Sequence, residues 1–306
     1  MKKLAIVLLS LFAVMATANA QKVVEMTQTW EEFSGISVSN NFDIQFSYAE
    51  EYAVVLHVDE LISEYVRMNY QSGIINISLD EKSYSKELKK LLKSKNAPVM
   101  TLKAEVKCPK LSVITLVDKV TAYATDNIKA DILTVKLKNN AVIKGMNIDA
   151  DDVGISLEDK SSAAFDIYSR SVELETSNNA SANLTANCSN IVIGAAGSSN
   201  IILSTECKSI EVKGKDSSVI NATGSAKELT IDGSSSAEFN AAGLSLENAE
   251  VVLSKNAKCD IAPQSKVKVD LTGSSYLCIG ENGALIDLVQ VKGSTLVRSN
   301  DSKKKK

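Results

Sequence analysis

Histidine, proline, tryptophan and arginine are all scarce in this chain of 306 residues. His57 is the only histidine, so a Ser-His-Asp triad has one base to draw on and a zinc site one imidazole; no C-x-x-C accompanies it. Three prolines and 44% hydrophobic residues exclude a disordered linker protein. Arginine occurs only at Arg67, Arg170 and Arg298, and acidic residues outnumber basic ones 37 to 34. Nucleic acid needs a concentrated basic face, and none is present. Aromatics amount to 5%, with Trp30 the sole tryptophan, too few for the ring platforms of polysaccharide-cleaving grooves. There is no glycine-rich phosphate loop and no Gly-Gly-x-Gly-x-Asp calcium repeat. Asp151-Asp152 and Glu158-Asp159 are the nearest approach to an acid–base or calcium set, and their spacing matches no metal loop. No catalytic residue, metal ligand or cofactor is assigned.

Past residue 20 no apolar run is long enough to cross a bilayer, so no transmembrane segment is expected. The first 20 residues themselves read as a secretory signal: Lys2 and Lys3, an apolar stretch over 4–16, then Ala18-Asn19-Ala20 before Gln21. No cysteine follows that site, so a lipid anchor is not indicated. The mature chain is expected in the periplasm, at the outer-membrane surface or in the medium.

What the chain does have is a phrase that returns at intervals of 17 to 22 residues from about Val117 to Val297. Two or three alternating apolar residues lead into a short polar pair, and another small apolar pair follows. The pairs are Asp118-Lys119, Asn139-Asn140, Ser161-Ser162, Asn178-Asn179, Ser198-Ser199, Ser217-Ser218, Ser235-Ser236, Lys255-Asn256, Ser274-Ser275 and Ser294-Thr295. Alternation such as Leu133, Val135, Leu137 or Val267, Val269, Leu271 marks strands with one buried face. Units of this length hold neither two helices nor a crossover helix. The fold class is therefore all-β, a parallel β-helix solenoid of about ten ~20-residue turns, roughly 45–50 Å long at ~4.8 Å per layer.

Asn, Asp and Ser suit the corners, since they tolerate left-handed backbone or bond neighbouring backbone groups. Stacked in register they form ladders, and the candidate contact surface is the turn ladder Asn139, Asn140, Asn178, Asn179, Ser198, Ser199, Ser217, Ser218, Ser235 and Ser236, expected to be exposed. Holding the corner together is the competing role for the same side chains. Two positions after each turn, Ala122, Ile143, Phe165, Ala182, Ile202, Phe239, Cys259 and Cys278 should point inward, with Asn221 and Arg298 as exceptions. Cys188 and Cys207 are one period apart, as are Cys259 and Cys278, so each pair is expected to stack, either as reduced core thiols or as disulfides. Cys108 is left over.

Residues 21–107 lack the phrase and are expected to form a β-rich capping section, followed by the coil over 108–299 and a charged tail over 300–306. Phe33, Ile36, Val38 and then Phe42, Ile44, Phe46 alternate on either side of Ser39-Asn40-Asn41. Further strands are expected over 52–58, 74–79 and 99–106, with a turn at Ser72-Gly73 and a short Lys-rich helix near 85–94.

The opening Phe33-Ser34-Gly35-Ile36-Ser37-Val38-Ser39, followed by Phe42-Asp43-Ile44, resembles the start of the bacterial head GIN domain, a family described as "putative auto-transporter adhesin". Gly197-Ser198-Ser199, Gly233-Ser234-Ser235 and Gly273-Ser274-Ser275 are similar to its recurrent turns, and the likeness runs over roughly 33–297. The resemblance implies an exported, envelope-associated β-helical protein of Bacteroidetes-like bacteria, and it supplies no catalytic residues. A non-enzymatic, adhesin-like display rod follows, with an envelope glycan or a surface protein as its partner. A polysaccharide lyase or hydrolase and a purely structural scaffold stand as alternatives, and the oligomeric state is left open.

Overall fold

A strand of five to seven residues buries too little on its own, so these coils hold only by stacking. In the computed structural model, which describes residues 10–13, 22–280 and 283–299, strand makes up 68% and helix 5%, in a β-solenoid of about 10 turns. Every described strand pairing from Val113 onward is parallel. One vertical row fixes the register: Asp43, Thr121, Val142, Ser162, Ser181, Asn200, Val219, Glu238, Lys258, Tyr276 and Thr295 lie one above another. Between the two faces each coil makes its tight corner with a left-handed residue. These are Asn40, Asp118, Asn139, Asp159, Asn178, Gly197, Asp216, Ser235, Lys255, Gly273 and Gly293.

That row corrects the sequence register in five coils. The left-handed residues Asp159, Gly197, Asp216, Gly273 and Gly293 precede the pairs read as turns; Ser161, Ser199, Ser218 and Ser275 belong instead to a buried column, and Thr295 to the strand row. The same column holds Val120, Ala141, Ala180, Ala237 and Ala257. A slip of one residue along a strand moves a side chain to the other face. Hence Ile202 is 48% exposed and Cys278 only half-buried, while Ile201, Ile220 and Leu277 are the inward residues. Arg298, in the last coil, continues the inward row above Ile279 and donates to the Ala284 carbonyl at 2.8 Å, yet it is exposed.

Inside, small and large residues offset one another across the coil. Phe239 is buried opposite Gly214 and Gly233, where a methyl group would come within 2.5 and 2.6 Å of its ring. The ring fills the space the two glycines leave, which is how a narrow core keeps interior density.

The N-terminal section is not simply a cap that ends at 107. Strand β1 (Ser10–Ala13), inside the expected signal, runs antiparallel to β2 (Val23–Trp30). Strands β3 (Gly35–Ser39) and β4 (Asp43–Tyr48) already form a coil, pairing in parallel with Val113–Val117 and Thr121–Ala124. The coil therefore begins near Gly35, and the chain then leaves it to build the cover beneath. Next come β5 (Tyr52–Asp59), α1 (Glu60–Ser63), β6 (Val66–Gln71), β7 (Ile74–Leu79), α2 (Lys86–Leu92) and β8 (Leu102–Cys108). Strand β7 lies parallel under β3, and β8 parallel under β4; β6, β5 and β2 then continue antiparallel. The β6–β7 hairpin turns on Ser72 and Gly73, both at positive φ, as a type I′ turn requires. Helix α2 is capped by the Ser85 hydroxyl, which accepts from Leu88 N at 3.0 Å, and it buries Leu88. Phe33 packs edge-on against Trp30 and Tyr52, with centroids 5.9 and 5.0 Å away. At the far end the last coil stays open, with Leu285, Leu288 and Val289 more than half exposed. The tail over 300–306 lies outside the described residues. No helix among the described residues is long and apolar enough to cross a membrane.

Candidate binding surfaces

The turn corner spends much of its polarity on itself. Asn139 Nδ2 donates to Asp118 Oδ1 at 2.9 Å, and Asn178 Nδ2 to Asp159 Oδ1 at 3.0 Å. Asp216 Oδ2 accepts from the Gly197 backbone at 3.2 Å. Each bond ties one coil to the next, so these side chains hold the corner. Asn140, Asn178, Asn179, Ser198, Ser217 and Ser236 are exposed, and Asn139 and Ser235 are half-buried. Ser199 and Ser218 contradict the expected exposure: they are 1% and 0% exposed, and their hydroxyls have no hydrogen-bond partner among the described residues. Asn139 and Asn140 share a hollow of about 290 Å³ with Asn40, Glu81, Asp118 and Lys119.

The cysteines divide. Cys188 and Cys207 are close enough that Cys207 adds to the burial that pushes the Cys188 thiol up to about 12. Cys259 and Cys278 do not stack, because Cys259 pairs with Leu277 and Asp260 with Cys278. The interval in that layer is a residue shorter than the sequence reading, which turns Cys278 outward. All five cysteines are free thiols, and burial pushes Cys108 up to about 12 as well.

Sequence reasoning missed two wide polar hollows on the outer faces. On the outer side of the face built by residues 152–157, 171–176 and 190–195, Glu158, Glu173, Glu175 and Lys213 line a groove of about 730 Å³. Glu175 lies across Gly194, which has no side chain to block it, and Lys213 is held by Glu211 at 2.7 Å. On the face built by residues 146–149, 165–168, 184–187 and 203–206, another groove of about 730 Å³ runs across several coils. Two outward rows line it. One stacks Asn147, Asp166, Thr185 and Ser204; the other stacks Asp149, Tyr168, Asn187 and Glu206. Between them the inward row Ile148, Ile167, Ala186 and Thr205 fixes the strands from behind, with Thr205 Oγ1 bonded to the Ala186 carbonyl at 2.7 Å. Tyr168 is 66% exposed and also borders a second hollow of about 510 Å³, with Lys129, Asp131, Asp151 and Arg170. Arg170 is itself paired with Asp152. No group of three or more His, Cys, Asp or Glu among the described residues could hold a metal ion.

Two consecutive stretches, residues 32–166 and 167–282, match the family model described as "Putative auto-transporter adhesin, head GIN domain". Among solved structures, a "putative adhesin" from Parabacteroides distasonis ATCC 8503 superposes with a TM-score of 0.51 at 15% identity, over 91% of this chain and 97% of that one. A second "putative adhesin", from Parabacteroides merdae ATCC 43184, gives 0.49 at 11% identity over 91% and 96%. At such identity the likeness is one of fold. No curated protein matches the chain.

Proposed function

The chain belongs to the head GIN domain family, and from that membership together with the outer faces of the rod we propose a non-enzymatic, exported cell-envelope protein with an adhesin-like binding role. One observation carries this reading: a continuous stack presents polar rows along its length, and two open grooves of about 730 Å³ run across its outer faces. Such a surface suits many weak polar contacts with an extended partner, an envelope glycan or a surface protein, better than it suits a closed reaction chamber. The signal-like pattern read in the sequence of residues 1–20 supports export, and a stable stack supports display at the periplasmic or outer surface.

The test is capture by the mature chain, lacking residues 1–20, of whole bacterial or host cells and of an arrayed glycan set, with the supernatant assayed for released sugars. Saturable capture with intact glycans is the expected result. Release of shortened sugars would put the carboxylates Asp149, Asp166 and Glu206 in an enzyme instead. Absence of capture on every surface would leave only a scaffold. Fractionation of the tagged protein tests location, with the cleaved form expected in the envelope or medium and an uncleaved cytoplasmic form counting against export.

A further inference from the structure

We propose that the groove beside Tyr168 is a saccharide site that takes a neutral oligosaccharide laid along the rod axis; this rests on the adhesive reading above and names its ligand and place.

At several places elsewhere on the rod, outward neighbours in successive coils bond to each other: Asn240 to Asn221 at 2.9 Å, Asn248 to Glu228 at 2.9 Å, Gln290 to Asp270 at 2.8 Å, Lys268 to Glu250 at 2.7 Å. In the groove no such bond forms. Asp149, Asp166, Thr185, Asn187 and Glu206 are exposed and make no side-chain hydrogen bond among the described residues. Their carboxylates, amide and hydroxyl therefore face solvent with full capacity to accept and donate.

Tyr168 stands among them, directly between Asp149 below and Asn187 above. An exposed ring offers an apolar face to the C–H side of a pyranose, while a carboxylate and an amide on adjoining strands reach its hydroxyls. Successive strands repeat at ~4.8 Å, a step comparable with one sugar of an extended chain. Thr185 and Ser204 in one row and Asn187 and Glu206 in the other would meet successive sugars of one strand. Charge narrows the class. Three carboxylates and no lysine or arginine line this groove, so uronates and sulfated or phosphorylated sugars are repelled. The basic residues Lys129 and Arg170 lie beyond the ring, in the adjoining hollow, mixed with Asp131 and Asp151.

The experiment measures binding of chitohexaose, cellohexaose, mannohexaose and polygalacturonate to the mature chain by calorimetry and affinity electrophoresis, with whole-cell capture run in parallel. The variants are Tyr168→Ala, Tyr168→Phe, Asp166→Asn and, at an exposed position outside the groove, Lys227→Ala. At least one neutral hexaose should bind; Tyr168→Ala should weaken it about tenfold or more, Tyr168→Phe should keep most of it, and Lys227→Ala should leave it unchanged. Because Tyr168 is mostly exposed, the alanine variant should keep the wild-type circular dichroism spectrum. Binding indifferent to Tyr168→Ala, or a preference for polygalacturonate, overturns the site. Cells captured without any neutral hexaose bound overturns the saccharide assignment while leaving the adhesive reading intact. Loss of both overturns the two together.

Discussion

At the scale of single residues, the buried corner column sets up a controlled comparison. Ser199 and Ser218 occupy positions that are alanine in neighbouring coils, and their hydroxyls are unpartnered. A buried hydroxyl without a hydrogen bond costs roughly 1–3 kcal/mol, so Ser218→Ala should raise stability by about 1 kcal/mol. Ser161 sits in the same column but donates to the Glu158 carbonyl at 2.7 Å. Its alanine variant should lose about 0.5–1.5 kcal/mol instead. Urea midpoints decide it, and two shifts of the same sign would refute the assignment. Lys255 offers a second case, because it holds φ at 61° where the next coil uses Gly273 at 75°. A left-handed non-glycine residue costs about 1–2 kcal/mol, and glycine returns part of that as unfolded-state entropy. Lys255→Gly should therefore stabilise by up to about 1 kcal/mol, and a lower urea midpoint would count against the left-handed corner. These serines also explain what sequence could and could not give. Apolar alternation such as Leu133, Val135, Leu137 exposes its period directly. A Ser-Ser pair does not say which serine turns the corner and which enters the core, so Ser199 and Ser218 read as exposed. Asp166, Tyr168, Asn187 and Glu206 were invisible as a group for a related reason: they are outward residues of three successive coils, and only a correct register brings them together.

At the scale of elements, the N-terminal cover differs from the coil in what holds it. Strands β2, β5 and β8 pair antiparallel, and His57 on β5 lies between Glu25 at 3.7 Å and Glu105 at 3.3 Å. Hydrogen bonding and charge from Lys107, with a further contribution from His57, hold the Glu105 carboxyl below its ordinary value of 4.5. A carboxyl depressed in the folded state adds stability that is present above its unfolded pKa and lost as pH falls through the folded one. Asp80, bonded by Ser83 and Arg67 at the end of β7, is lowered in the same sense. The cover should therefore loosen on acidification below about pH 4.5 before the apolar coil does. Trp30, the only tryptophan, stands in β2, so its fluorescence reports the cover while far-ultraviolet dichroism reports mostly the coil. The expected outcome is a fluorescence midpoint that falls with pH ahead of the dichroism midpoint. Glu105→Gln should lower the neutral-pH midpoint and flatten that dependence; an unchanged slope would dismiss the carboxylate as its source. The place where the chain leaves the coil after Tyr48 and returns at Val113 was not legible beforehand. The strand patterns were, but nothing local distinguishes a strand that pairs with a neighbour in sequence from one that pairs across the inserted residues 49–112.

At the scale of the whole molecule, each coil touches only the coils above and below, so stability should be close to a sum of coil and interface terms. The register then becomes testable by deletion. Every pairing between Asn200 and Gly214 and the next coil joins residues 19 positions apart, as Asn200 with Val219, Cys207 with Ala226 and Gly214 with Gly233. Removing residues 200–218 joins Ser199 to Val219 and sets Val219 over Ser181, the place Asn200 held. Inward rows remain inward: Ile220 replaces Ile201 above Ala182, and Leu229 replaces Ile210 above Ile191. The shortened rod should fold, keep its strand-rich dichroism and unfold cooperatively, with loss of the part of the Tyr168 groove that holds Ser204 and Glu206. Removing residues 200–217 leaves one residue too many, and the strand after the junction must bulge or present its apolar side to water. That variant should be recovered insoluble or with a much lower urea midpoint. The two constructions differ by a single serine in length, so equal behaviour would mean that the side-chain alternation, and not merely the count of coils, has been misassigned.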